Sequence, residues 1–318
     1  MTTRATAGML PLLVASVLWG TTGTAAHFAQ GLSPLAIGAA SLGFGGLLQA
    51  CIALPALRSA RAQLAIQLRT IVVGALGIVV YPLAFYSSMA IGGIALGTII
   101  SLGSAPLFCG VLERLLGTGK LTRRWWASAG LGIAGTALLG VSRTAGQDAM
   151  PVVVVAISVG LGLLAGASYA VYSWATACLL SAGVPRGAAV GSIFGLGGLL
   201  LMPVFVITAH GLFAAAHNVL VLAYLAVIPM FLGYLLFGMA LTHVSASTAT
   251  TVTLSEPAVA AVLAVLIVGE RLGVYGWCGI ALIGLSLILL LSPARPRVKP
   301  PARGDAKRDR PVPVPDPS

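Results

Sequence analysis

From Gly187 to Ser255 the chain runs without a single Asp, Glu, Lys or Arg, and it then places a Glu-Pro pair, Glu256-Pro257, inside a further apolar stretch. A water-soluble domain has nowhere to put that much unbroken apolar chain, whereas a bilayer requires it, at about 20 residues per helical crossing. The rest of the sequence agrees: 58% of its 318 residues are hydrophobic, 8% are charged, and the mean hydropathy is +1.02. That profile lies well outside the soluble range and describes an integral membrane protein.

Uncharged stretches predict helices over 9–29, 34–56, 70–91, 94–116, 125–142, 151–181, 187–209, 218–242, 245–268 and 273–292. The expected fold class is therefore all-α integral membrane with ten transmembrane helices, which puts both termini on one side. The first stretch has Arg4 ahead of its apolar core, as a secretory signal would, but it continues to residue 29 and has a counterpart later in the chain, so it is read as a span. With the N-terminus in the cytoplasm, only Arg143 and Arg271 of the 18 Lys and Arg residues fall outside, which is the positive-inside pattern. The basic, Pro-rich segment 293–318 cannot bury a core and is expected to be a disordered cytoplasmic tail near anionic headgroups. Cys51, Cys109, Cys178 and Cys278 stand singly in apolar segments, without metal-ligand spacing, and read as small hydrophobes.

The second half of the chain falls on the first at shifts of 150 to 152: Trp19 on Tyr169, Pro34 on Pro185, Gly43 on Gly195, Ser88 on Gly238, Pro106 on Pro257 and Trp126 on Trp277. Five helices is an odd number, so a duplicated five-helix unit enters the membrane the second time upside down. Charge agrees with the inversion, because Lys120, Arg123 and Arg124 follow the fourth span whereas Glu270 and Arg271 follow the ninth. The expected units are 9–142 and 151–292, an inverted repeat of the kind that secondary transporters use, with the substrate site near the midplane between the two copies.

The segment "SEPAVAAVLAVLIVGERLGVYGWCGIALIGLSLILL", with Glu256-Pro257, Gly269-Glu270 and Trp277-Cys278-Gly279, resembles the end of an EamA-type repeat of the drug/metabolite transporter superfamily, and "LWGTTGT" around Trp19-Gly20 resembles the family's opening helix. The resemblance covers residues 9 to 292. It implies a ten-helix carrier of the bacterial inner membrane, usually an exporter of amino acids or related small metabolites. The first copy departs from the pattern, with Ala105 where the second has Glu256 and Thr118-Gly119 where it has Gly269-Glu270.

Pro257 has no N–H, so the Thr253 carbonyl loses its helical partner, and Pro106 does the same to the Leu102 carbonyl; matched breaks of this kind point to a transporter's binding site. Glu256 lies about twelve residues from either end of its span, near the bilayer centre, and is the one acid expected there. Ionising it in a dry environment costs at least ~2.5 kcal/mol, and no Lys or Arg of the interior can pair with it. Two roles fit: a proton or substrate-amine site, and a structural hydrogen-bonding group satisfied by hydroxyls such as Thr253. Trp19 and Tyr169 sit at the centre of corresponding spans, where they either line a cavity or pack the bundle; Tyr86 and Tyr234 are further candidates of the same kind. Gly187, Gly191 and Gly195, four apart, are expected to let helix backbones approach. The four His residues fall near span ends and read as interfacial.

The spans contain no Asp, no HExxH and no GxSxG, so nothing points to an intramembrane enzyme, and a single central acid does not make the charge rings of a channel. The implied partners are a small-molecule substrate, the lipid bilayer and, as a candidate coupling ion, protons. No cofactor, metal or nucleic acid is implied, and the chain is expected as a monomer or homodimer. A non-transporting membrane protein, or a carrier that imports a metabolite or drug-like compound, is the alternative.

Overall fold

The computed structural model describes residues 2–117, 121–144, 150–213, 215–263, 265–266 and 273–291. The expected tail 293–318, the Gly269-Glu270 pair and the end of the 245–268 span lie outside them. The elements, in chain order, are α1 (Thr2–Gly20), α2 (Thr22–His27), α3 (Pro34–Ser59), α4 (Arg61–Ile66), α5 (Leu68–Leu115), α6 (Arg123–Thr144), α7 (Val152–Ser181), α8 (Arg186–Thr208), α9 (Ala216–Leu225), a π-helical segment (Ala226–Leu232), α10 (Gly233–Ala240), α11 (Ala246–Val252), α12 (Ser255–Leu263) and α13 (Val274–Leu291). No strand occurs among the described residues. By length and composition seven helical stretches among them can cross a membrane, from Gly8–Ala26 to Ala216–Ala240, with Val274–Leu290 a shorter apolar helix.

Local chemistry sets the boundaries. Ser33 caps α3, its hydroxyl accepting from the Ala36 N–H at 3.1 Å, with Pro34 in the first helical position, where a missing N–H costs nothing. α7 ends in a Schellman motif: Gly183 takes a left-handed φ of 80°, its N–H meets the Leu180 carbonyl, and the Val184 N–H meets that of Leu179. α5 is 48 residues long, but Gly93 inside it has φ 83° and ψ 155°, a region that side chains avoid. The chain turns there so tightly that a methyl on Gly97 would lie 2.7 Å from the Met89 nitrogen. α5 is thus two arms, each of crossing length, and both pack against α7.

Apolar burial does not hold helices together in lipid; close packing and interhelical hydrogen bonds do. α3 and α8 meet through glycines, with Gly46 against the Phe194 carbonyl and Gly198, Gly195 against Ala50, and Gly43 against Met202. Gly187, Gly191 and Gly195 form the expected close-approach stripe, facing Ala56, Ala53 and Ala50. α6 and α13 pair in the same manner: each of Gly135 and Gly279 would bring an added methyl 2.6 Å from the other's carbonyl oxygen. Ser128 and Ser286 donate to one another's carbonyls at 2.9 and 2.7 Å, and Arg124 donates to the last carbonyls of α13, those of Leu289 and Leu290. Ser88 and Ser158 make the same reciprocal exchange between α5 and α7, at 2.8 and 3.0 Å.

Candidate functional site

The expected break falls in the second half of the chain. α11 ends at Val252 and α12 begins at Ser255, so the helix is interrupted in the turn that Pro257 deprives of a donor. The stranded Thr253 carbonyl accepts instead from the Glu256 N–H at 3.0 Å. This interruption sets Glu256 in the first turn of α12, where the helix dipole favours negative charge. Glu256 and Pro257 stand on the wall of a cavity of about 470 Å³, together with Trp19, Thr22, Phe85 and Tyr86. The cavity reaches the end of the bundle at which Phe28, Ile94 next to the Gly93 turn, and Gly140 near the end of α6 are found.

Inward of Glu256 the space narrows to about 20 Å³, room for one water, and its wall adds Tyr81, Tyr169 and Tyr234 to Trp19, Thr22, Tyr86 and Glu256. Behind that neck lies a packed aromatic layer. Trp19 and Tyr234 have ring centroids 4.9 Å apart, Phe194 and Tyr234 4.6 Å, and Tyr169 stacks on Tyr172 at 5.1 Å. Tyr172 and Tyr234 share a hydrogen bond of 2.8 Å between hydroxyls, and Tyr169 and Thr253 share one of 3.2 Å. Each aromatic pair contributes about 0.5–1.5 kcal/mol beyond area burial, so the layer is a rigid floor.

Four of the sequence candidates, Glu256, Trp19, Tyr86 and Pro257, line the cavity, and Tyr169 and Tyr234 line its neck. Two expectations need correction. The Thr253 hydroxyl is engaged with Tyr169 and the Thr250 carbonyl, so it is not the group that satisfies the Glu256 carboxyl. Pro106 does not break its helix and lines neither space: α5 runs through it without interruption, its turn pressed onto α7, with Ser101 and Ser104 against Gly166. The turn before Pro257 is packed as well, Leu254 on Gly132 and Thr253 on Tyr169, yet there the helix is interrupted, and nothing in the structure explains the difference.

Three features escaped the sequence. The span over 218–242 carries the π-helical segment Ala226–Leu232 around Pro229, and two carbonyls of this stretch are met from other helices. Trp19 Nε1 donates to the Pro229 carbonyl at 2.8 Å, and Gln49 Nε2 to that of Phe231 at 2.6 Å. Trp19 thus has the partner that its depth requires. The second is Thr22, whose hydroxyl, like that of Tyr86, is buried at the cavity without a well-formed hydrogen bond. The third is Glu113. It reads from the sequence as an acid near the end of its span, yet only 5% of it is exposed, and its two carboxylate oxygens accept from the N–H and the hydroxyl of Ser247 at 3.0 and 2.5 Å. Glu113 thereby ties the second arm of α5 to α11 on the far side of the aromatic layer from Glu256. A polar spacing would have flagged Gln49 and Glu113 only if their partners were near in sequence.

An all-helical membrane bundle with an acid at a helix break, facing a cavity, is the architecture of a membrane transporter. A family model described as the EamA-like transporter family matches residues 6–141 and again 156–292, and the chain belongs to that family. It is 31% identical over 293 residues to the uncharacterized transporter YwfM of Bacillus subtilis (strain 168), a match covering 89% of this chain and 93% of the relative. It is also 37% identical over 98 residues to an uncharacterized transporter of Clostridium kluyveri, covering 30% and 32% of the two chains. A solved crystal structure shares the fold, with a TM-score of 0.71 at 17% identity over 89% of this chain and 96% of the other.

Proposed function

We propose that this protein is a secondary carrier of the bacterial inner membrane that exports amino acids or related small metabolites by alternating access, with both termini cytoplasmic and protons as coupling ion at Glu256. The observation that carries the reading is the cavity itself. It reaches one end of the bundle, narrows at Glu256 and stops against the aromatic floor, as a carrier caught open to one side must. On the opposite side Glu113 is bound to Ser247 at the wall of a separate recess of about 500 Å³, which the tyrosine layer divides from the cavity at Glu256. With the termini in the cytoplasm, the open side is the outer one.

The ten-helix, inverted-repeat organisation over 9–142 and 151–292 belongs to the same proposal. Ten crossings result when α5 is divided at Gly93, the six-residue α4 is left out as a connector, and the segments α1 with α2, α9 through α10, and α11 with α12 are each taken as one. Contacts between corresponding helices support the inversion. A shift of 151 carries Ser128 onto Gly279 and Gly135 onto Ser286, so that the Ser128–Ser286 contact is exchanged with the Gly279–Gly135 contact, and both occur. A shift of 152 carries Gly46 onto Gly198, which it touches, and the Ala50–Gly195 contact onto Met202–Gly43. Such exchange is what a twofold axis between two copies requires. The double match of the family model, over 6–141 and 156–292, points the same way.

Counterflow in proteoliposomes, run across a panel of labelled amino acids and related metabolites, tests the carrier reading. Exchange that depends on the protein and saturates with substrate is expected. Equal tracer movement in liposomes with and without the protein, for every compound, would sink it.

A further inference from the structure

We infer that the cavity at Glu256 is built to hold the ammonium end of an apolar amine, and that it discriminates against a carboxylate. The inference rests on the carrier reading and narrows its substrate class. Three residues with side-chain oxygens, Glu256, Thr22 and Tyr86, line both the cavity and its neck, the two hydroxyls lying just beneath the surface of the wall. Thr22 and Tyr86 are 7% and 5% exposed; the Thr22 hydroxyl has no partner, and that of Tyr86 has the Ser41 hydroxyl beside it but no well-formed hydrogen bond. Unmet buried hydroxyls are costly, and at a cavity they are the groups a ligand would satisfy. Ser41, on the wall beside Tyr86, gives its own hydroxyl to the Gly38 carbonyl at 3.2 Å. An ammonium has three N–H donors, no acceptor and one positive charge, the complement of one carboxylate and two hydroxyl oxygens.

A carboxylate meets the reverse of what it needs. No Lys, Arg or His is among the described residues of the cavity wall. Trp19 Nε1 is committed to the Pro229 carbonyl, and the Thr136 hydroxyl to that of Gly132. The helix start beside Glu256 offers little either, because the Glu256 N–H is taken by Thr253 and Pro257 has none. Elsewhere the wall carries the side chains of Thr24 and Thr98, neutral hydroxyls, and is otherwise apolar, with Phe28, Phe85, Met89, Ile94, Ile99 and Leu139. A volume of about 470 Å³ accepts a body of the size of an indole or an eight-carbon chain.

Two matched series test this on the purified full chain by isothermal titration calorimetry: tryptamine, tryptophan and indole-3-propionate, then octylamine, 2-aminooctanoate and octanoate. Within each series the apolar body is constant and only the head changes. The amine is expected to bind at least about tenfold more tightly than the amino acid, and the acid more weakly still. Glu256→Gln is expected to weaken amine binding about 10- to 100-fold, the loss of one charge-assisted hydrogen bond. Thr22→Val and Tyr86→Phe each weaken it severalfold, and the variants must elute as the wild type does. Amino acids or acids binding as tightly as the amines, amine binding unchanged in Glu256→Gln, or no binding by either amine would each overturn the inference. Counterflow of some other compound would leave the carrier reading standing in all three cases, so the two fail separately.

Discussion

Replacing Glu113 by Gln tests whether the contact with Ser247 is what keeps the far side of the bundle shut. In the structure both carboxylate oxygens are used, one by the Ser247 N–H and one by its hydroxyl. Hydrogen bonds to a charged group each contribute about 1.5–3 kcal/mol net, and neutral ones about 0.5–1.5. Gln keeps its oxygen for the Ser247 N–H and turns its NH₂ to the Ser247 hydroxyl, which accepts as well as donates, so both bonds persist but as neutral ones, each weaker by about 1 kcal/mol or more, a total of about 2 kcal/mol. If the contact exists only in the closed state, that loss raises the open population about thirtyfold. Cys109 provides the readout: it lies one helical turn inward of Glu113 on the same arm, fully buried, its sulfur 3.8 Å from the Ala170 carbonyl. With Cys51, Cys178 and Cys278 replaced by Ser, a membrane-impermeant maleimide applied to inside-out vesicles is expected to label Cys109 about thirty times faster in Glu113→Gln than in the parent. Labelling from the opposite face should slow or stay the same. Rates that agree within twofold, in variants equally abundant and monodisperse, would refute the assignment of Glu113 as a latch.

Three further outcomes are expected. Glu256→Gln keeps the shape of the side chain and removes its ionisation, so a pH gradient should no longer drive substrate flux in proteoliposomes while membrane insertion is retained; gradient-driven flux at wild-type rate would make Glu256 structural. Gly46→Ala forces a methyl onto the Phe194 carbonyl and should destabilise the bundle by about 1–3 kcal/mol, seen as a lower unfolding temperature in detergent, whereas Gly160→Ala, with nothing within 4 Å, should be neutral or stabilising by about 0.5–1 kcal/mol. A reporter active only in the periplasm, fused after Ser318, should stay silent, and strong activity there would reverse the orientation of the whole proposal.

The parts of this structure that the sequence announces are those whose cause is local. Gly183 ends a helix, Ser33 and Ser245 begin helices, and the Gly187, Gly191, Gly195 stripe comes together because four residues is one helical turn. The break before Pro257 is local too. Pro106 shows the limit of such reasoning: its signal is nearly the same, and α5 runs through it unbroken. Gln49 and Phe231 are 182 positions apart, and Glu113 and Ser247 are 134. In a soluble protein the apolar face of each helix would reveal what it packs against. Here lipid-facing and protein-facing sides are both apolar, so the pattern that would have paired these helices is missing.

The two intramembrane acids also bear on how a duplicated carrier acquires a direction. Two identical inverted copies would make the outward-open and inward-open states equal in energy, because the pseudo-twofold axis would exchange them. In the proposed inverted repeat the copies differ at many positions, two of which carry acids: at a shift of 151, Glu256 falls on Ala105 in the sequence, and Glu113 falls on Ala264. One acid stands at the wall of the cavity proposed to take substrate; the other is bound to Ser247 on the opposite side. Neither has an acidic counterpart in the other copy. A contact of about 2 kcal/mol or more made in the closed state alone biases the resting carrier towards the outer opening. On the exporter reading proposed above, such a bias means that the Glu113–Ser247 contact must break before the carrier loads from the cytoplasm, so Glu113→Gln is expected to speed the step that resets the empty carrier more than the step that releases substrate.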